Sequence, residues 1–281
     1  MDGLRKYWME RLQQPLRNEE LTWIERKVDL HERRSAHVAR ITGDARVYRT
    51  LQIGQGEWKV DYMLKVDFLI KQGKSMYIES EENQHRSHWY KGDLVKDEWI
   101  PNEMDSADHD ELSLIEGEDD YRFNYDRQKA VQYANRWWNS YNPAYRKFEN
   151  DCTNYISQCL RAGGSPMWGS PKRSRGWWYG STWSYSWAVA NALRWYLSGS
   201  TKGLKGRAVE RASDLMPGDV ICYDFEGDGR WNHNTIVVAK DAFNEPLVNA
   251  HTSNSYHRYW DYEDSTAYTP NITYKFFRIG E

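Results

Sequence analysis

Hydrophobic residues recur at two different periods along this chain, and the change of period organises it. Near the start, Leu4, Tyr7, Trp8 and Leu12 fall at helical spacing until Pro15 interrupts, which predicts an amphipathic helix. In "EWKVDYMLKVDFLIK" the period becomes two. Trp58, Val60, Tyr62, Leu64, Val66, Phe68 and Ile70 alternate with Glu57, Lys59, Asp61, Lys65 and Asp67. One buried and one wet face is the pattern of an antiparallel strand. "ARVYRTLQIG" and "KSMYIESEE" alternate less cleanly. Together they predict a helix packed on a curved antiparallel meander over residues 1–100.

Residues 101–120, "PNEMDSADHDELSLIEGEDD", are acidic and nearly free of aromatics, the composition of a linker. Helical spacing resumes in "YDRQKAVQYANRWWN", through Ala130, Val131, Ala134, Trp137 and Trp138, and stops at "YNP". A further helix is predicted in "ENDCTNYISQCLRAGG", where Asp151 or Thr153 can cap the start and Gly163–Gly164 the end. The Gly/Ser/Trp-rich "GSPMWGSPKRSRGWWYGSTWSYSW" reads as loop, and "SWAVANALRWYL" as one helix. "GDVICYDF", "WNHNTIVVAK" and "EPLVNAHT" read as strands separated by turns. Residues 121–281 thus form a second domain with a cysteine-bearing helix first and a histidine-bearing strand meander after it.

Composition narrows the function. Of 281 residues, 40% are hydrophobic and 28% charged, and the net charge is −3, so no basic field calls for nucleic acid or an anionic membrane. No stretch is long and apolar enough to span a bilayer. The N-terminus lacks the apolar core of a signal peptide. The chain therefore reads as cytoplasmic, with a spore compartment or release after lysis also compatible. Three cysteines without a C-x-x-C pair argue against a disulfide framework or structural zinc. His85 and His88 lack an H-E-x-x-H context, so neither metal nor cofactor is expected. The 15 Trp and 20 Tyr call for an aromatic-heavy core or a ring-lined groove.

Cys152 falls at the open end of its predicted helix, on the face of Ile156 and Cys159. Unpaired N–H groups there favour a thiolate, so Cys152 can be a nucleophile as well as a small buried residue. Cys159 and Cys222 sit on apolar stripes and read as packing. His233 heads a strand with Thr235 and Val237 on its face, where an imidazole needs partners. On the next strand Asn249 and His251 share a face, and either can orient that ring as the third member of a triad. Tyr141 and Tyr145 are candidates for oxyanion or substrate contact, against simple packing. Trp177 and Trp178 are adjacent, and in an extended loop both rings cannot point inward, so one of them is a candidate for substrate contact.

The strings "NPAYRKFENDCTNYISQCLRAGG", "GDVICYDF", "WNHNTIVVAKD", "PLVNAHTSNS" and "RYW" together resemble the putative amidase domain family of Gram-positive, often spore-forming bacteria. That domain is similar in layout to papain-like cell-wall hydrolases of the CHAP and NlpC kinds. The resemblance covers residues 121–279. It implies an α+β chain with a papain-like (CHAP/NlpC-like) C-terminal domain behind the N-terminal helix-plus-meander domain, with Cys152 as nucleophile and His233 as base. A depressed Cys152 pKa, supported by His233, would follow. Family members commonly carry threonine where Asn234 stands; it lies on the face opposite His233, so little effect is expected. The implied reaction is thiol-dependent hydrolysis of peptide or peptidoglycan-type amide bonds, with peptide or muropeptide as substrate. Two other classes fit the same residues: a catalytically quiet muropeptide- or partner-binding module, and an acyl transferase or deamidase using the same Cys–His pair. For the N-terminal domain, spacer, self-association surface and substrate-binding domain are all compatible.

Overall fold

The computed structural model describes residues 2–13, 23–100 and 123–280. The expected linker, 101–120, lies outside them. Contacts divide the chain into two compact units. The first is Met1–Asn102 with Ser253–Ser255 and Glu263–Thr266; the second is Glu103–Thr252 with Tyr256–Tyr262 and Ala267–Glu281.

In the first unit, helices α1 (Asp2–Gln13) and α2 (Trp23–Arg33) precede the strands β1 (His37–Gly54), β2 (Glu57–Gln72), β3 (Ser75–Tyr90) and β4 (Asp93–Trp99). Neighbouring strands pair antiparallel. The alternation of β2 sets its inner face: Tyr62, Leu64, Val66, Phe68 and Ile70 are buried with Leu4 and Trp8 of α1 and Ile24 of α2. Fully burying an apolar side chain of this size contributes about 1.5–3 kcal/mol, so this one strand anchors the unit. Trp58, on the same face, is 39% exposed at the strand end.

β3 is different. Its register puts Glu79 opposite Phe68, Glu81 opposite Val66, Asn83 opposite Leu64 and His85 opposite Tyr62, and all four polar residues are buried. Helix α2 answers them: Lys27 Nζ bonds Glu79 and lies 2.6 Å from both Glu81 and Asp264, while His31 Nε2 lies 3.1 Å from Glu79. The carboxylates of Glu79, Glu81 and Asp264 lie close enough together to hold a cation. The Lys27 ammonium occupies that position. His85 bonds Asp97 at 2.9 Å.

The second unit begins with α3 (Arg127–Trp137) and α4 (Cys152–Ala162), continues through α5 (Tyr185–Ala188) and α6 (Ala190–Gly199), and ends in β5 (Gly206–Val209), β6 (Val220–Asp224), β7 (His233–Lys240), β8 (Pro246–Ala250), β9 (Asn254–Tyr259) and β10 (Thr273–Ile279). The single helix expected in "SWAVANALRWYL" is broken at Val189, whose φ and ψ are extended. The strands of β6 and β7 carry a core on each face. Cys222, Ile236 and Val238 join Tyr155, Ile156, Cys159 and Leu160 of α4 in one cluster. Ile221, Tyr223 and Val237 join Val248, Tyr262 and Phe276 in the other.

This architecture overturns the α+β reading with a papain-like, CHAP/NlpC-like C-terminal domain. Among the described residues strands dominate both units: β1-β2-β3 with β4 beside β3 in the first, and β8-β7-β6-β10-β5 in the second, all paired antiparallel. The helices among the described residues are few and short. The apolar pattern underreports sheet because β1 is largely exposed and β3 turns polar side chains inward. No helix among the described residues is long and apolar enough to cross a membrane.

Candidate active site

Cys152 is the first residue of α4, and Asp151 at the cap position makes no side-chain cap bond. The Asp151 carboxylate instead accepts from the Phe148 N–H at 2.9 Å and from Asn154 Nδ2 at 2.9 Å. Its other oxygen meets His251 Nδ1 at 2.7 Å. His251 Nε2 lies 2.7 Å from the Trp137 carbonyl, and the ring stacks on Tyr155 at 4.0 Å. With both nitrogens facing acceptors, His251 fastens the loop before α4 to the end of α3.

The Cys152 side chain is almost enclosed, at 5% exposure. Burial pushes its thiol pKa up, and neighbouring Asp151 adds to the rise. Three groups act the other way by hydrogen-bonding the sulfur: the Thr153 hydroxyl, the Asn234 backbone N–H and the Thr252 hydroxyl. Thr153 Oγ1 lies 3.7 Å from Sγ. The depressed pKa expected of Cys152 is not found, because desolvation outweighs these donors.

His233 stands elsewhere. It pairs with Tyr223 across β6 and β7, and its Nε2 lies 3.1 Å from Tyr262 Oη. Its ring meets Tyr223, Phe225 and Tyr262. Strand alternation puts it with Thr235 and Val237, whereas α4 packs on the face of Asn234, Ile236 and Val238. His233 and Cys152 therefore share no hydrogen bond. Burial, with Arg258 as a lesser cause, lowers the His233 pKa to about 3, so the ring is neutral near pH 7.

Neither proposed orienter bonds His233. Asn249 sits opposite Ile236, on the α4 face; its Nδ2 donates to Asn135 Oδ1 at 3.0 Å and its Oδ1 accepts from the His257 N–H at 2.9 Å. Of the tyrosines, Tyr141 packs edge-on to His251 at 5.0 Å, and Tyr145 stacks on Trp187 and meets Tyr179. Trp177 and Trp178 are both buried, which corrects the expectation that adjacent rings cannot both turn inward. Trp177 Nε1 donates to Ser157 Oγ at 2.9 Å, and Trp178 Nε1 to the Arg175 carbonyl at 3.0 Å. Trp168 and Trp177 pair through two backbone hydrogen bonds of 2.9 and 2.8 Å, so the loop folds back on itself.

Of the polar groups around the sulfur, the sequence reading treats Thr153 only as a cap and Asn234 as a change of little effect, and passes over Thr252. A signal for Asn234 was present. Ile236 and Val238 are the bulky apolar residues of its face, and a helix with an apolar stripe packs on the bulkier face.

An enclosed cysteine at a helix start, ringed by hydrogen-bond donors, is a feature of the part of the chain that matches a known family. Residues 124–277 match the model of the putative amidase domain, and the chain belongs to that family. It is 47% identical over 270 residues to the uncharacterized protein YhbB of Bacillus subtilis (strain 168), covering 92% of this chain and 86% of that protein. It is 26% identical over 193 residues to the uncharacterized protein YjcM of the same organism, covering 59% of this chain and 44% of that protein. No solved structure matches. Membership points to amide-bond hydrolysis as the general reaction.

Proposed function

We propose that the protein is a thiol-dependent amide hydrolase with Cys152 as nucleophile and His233 as base, acting on peptide-type amides such as those of peptidoglycan. The observation that carries this reading is the position of Cys152 at the first residue of α4, with Thr153, Thr252 and the Asn234 N–H directed at its sulfur. Donors arranged around a sulfur favour the thiolate that attack requires. In the resting protein the thiol holds its proton and His233 is neutral, bonded to Tyr262. With His233 as base, the reaction begins when the start of β7 rearranges so that the imidazole leaves Tyr262, turns to the α4 side of the sheet and takes the thiol proton. The sulfur attacks the carbonyl carbon, the C–N bond breaks, and the proton passes to the leaving amine. Water then cleaves the thioester, giving a carboxylic acid and restoring the thiol.

A second reading, a muropeptide-binding module without turnover, is favoured by the lack of a Cys152–His233 hydrogen bond and by the raised thiol pKa. One experiment separates the two. Peptide and muropeptide libraries are incubated with wild type, Cys152→Ala and His233→Ala, and both cleavage and binding are followed. The hydrolase reading requires cleavage that both substitutions abolish. Binding that survives both substitutions, with no cleavage by wild type, would replace it with the binding module.

A further inference from the structure

Asn234 reaches the α4 side of the sheet, and its Nδ2 donates to Thr153 Oγ1 at 2.9 Å. Thr153 and Asn234 are 1% and 0% exposed, so no solvent competes for these bonds. A hydroxyl that accepts one hydrogen bond still has one hydrogen to give. Sγ lies 3.7 Å from the same oxygen, where either group can donate while the thiol keeps its proton; once the sulfur is a thiolate it only accepts, and the hydroxyl is the donor. The Asn234 backbone N–H hydrogen-bonds the sulfur as well. The same side chain leaves its Oδ1 without a partner. An under-satisfied buried amide costs stability in a sheet interior that an apolar residue would fill at no such cost.

We infer that Asn234 is a positioning residue: by holding Thr153 Oγ1 it aims the threonine hydroxyl at Cys152 Sγ, and the two side chains form a relay that stabilises the thiolate. The inference rests on the proposed role of Cys152, and it gives position 234 a function in this chain. The other titratable groups around the sulfur are Asp151, itself bonded to His251, and Cys222 of β6. His233 lies on the far face of β7. None of these is altered by changes at Thr153 or Asn234.

The test is the titration of Cys152 from pH 6 to 11, read from its Cβ resonance in cysteine-labelled full-length protein and assigned with Cys152→Ser. A hydrogen bond to a charged group corresponds to about one pKa unit. Thr153→Val should therefore move the midpoint up by about one unit. Thr153→Ser should stay within a few tenths of wild type, and Asn234→Ala should move up by less than Thr153→Val. Thermal melts establish that each variant folds, and a purely packing role would move the melts without moving the midpoints. Thr153→Val and Asn234→Ala titrating with wild type would overturn the relay, as would a wild-type sulfur that does not titrate by pH 11. Midpoints that move as expected, in a protein whose amide cleavage survives Cys152→Ala, would leave the relay standing and remove the proposed function.

Discussion

A histidine held neutral in a buried aromatic pocket should make this protein sensitive to mild acid. The His233 pKa is lowered to about 3 by burial, against about 6.5 for an exposed imidazole. Between those two values the unfolded chain binds a proton that the folded chain refuses, so stability falls as pH falls through the window and is fully retained above it. Each pH unit within the window is worth up to about 1.4 kcal/mol, so lowering the pH from 6.5 to 4.5 should cost about 2–3 kcal/mol from this group alone. His233→Gln removes the titration while keeping a polar partner for Tyr262. Urea unfolding of both proteins at half-unit steps gives two curves of stability against pH. Wild type should lose about 2–3 kcal/mol more than the variant across that interval. Other acid-sensitive groups, such as Glu79, whose pKa is lowered by the Lys27 ammonium and the His31 hydrogen bond against the opposing effect of burial, act in both proteins and cancel. Parallel curves would refute the reasoning, and so would a His233 Cε1–H titration with its midpoint near 6.5.

Four further outcomes are expected. Lys27→Met should destabilise the first unit by about 3–5 kcal/mol at pH 7, since it strips the ammonium from Glu79, Glu81 and Asp264; melts at pH 4.5, where carboxylates begin to protonate, should show a smaller loss. Gly176→Ala should lower the melting temperature severely, because a Cβ there would lie 1.9 Å from the Trp168 carbonyl oxygen at φ +70°. Gly229→Ala, at φ +88° with open space around it, should cost only about 1–2 kcal/mol. Ser157→Ala should cost about 1–3 kcal/mol in chemical denaturation, because Ser157 Oγ accepts from Trp177 Nε1 and donates to the Trp187 carbonyl at 2.9 Å.

Much of the local structure was legible in the sequence because single periods controlled it. β2 has a strict alternation, and the helix of Cys152 has an apolar stripe with glycines at its end. What escaped was polar structure on the inside. Glu79, Glu81 and His85 face inward on β3 because Lys27, His31 and Asp97 partner them; no hydrophobicity pattern marks a strand whose buried face is charged. Helix α2, which supplies two of those partners, was missed for the same reason, since buried Glu25, Lys27 and His31 interrupt its apolar stripe. Around the sulfur, the residue types were recognised but their sides were not. Alternation fixed that His233 and Asn234 point oppositely. Only the packing of α4 on Ile236 and Val238 decides which of them meets Cys152.

The most direct test of cysteine chemistry is acid quenching during the first turnover on a peptide or muropeptide amide, followed by peptide mapping of the intact adduct. Nucleophilic attack by Cys152 predicts an acyl group on the Cys152 peptide that accumulates and decays with product formation, and is absent in Cys152→Ala along with cleavage. Cleavage that continues in Cys152→Ala at the wild-type rate, with no adduct on that peptide, would contradict it.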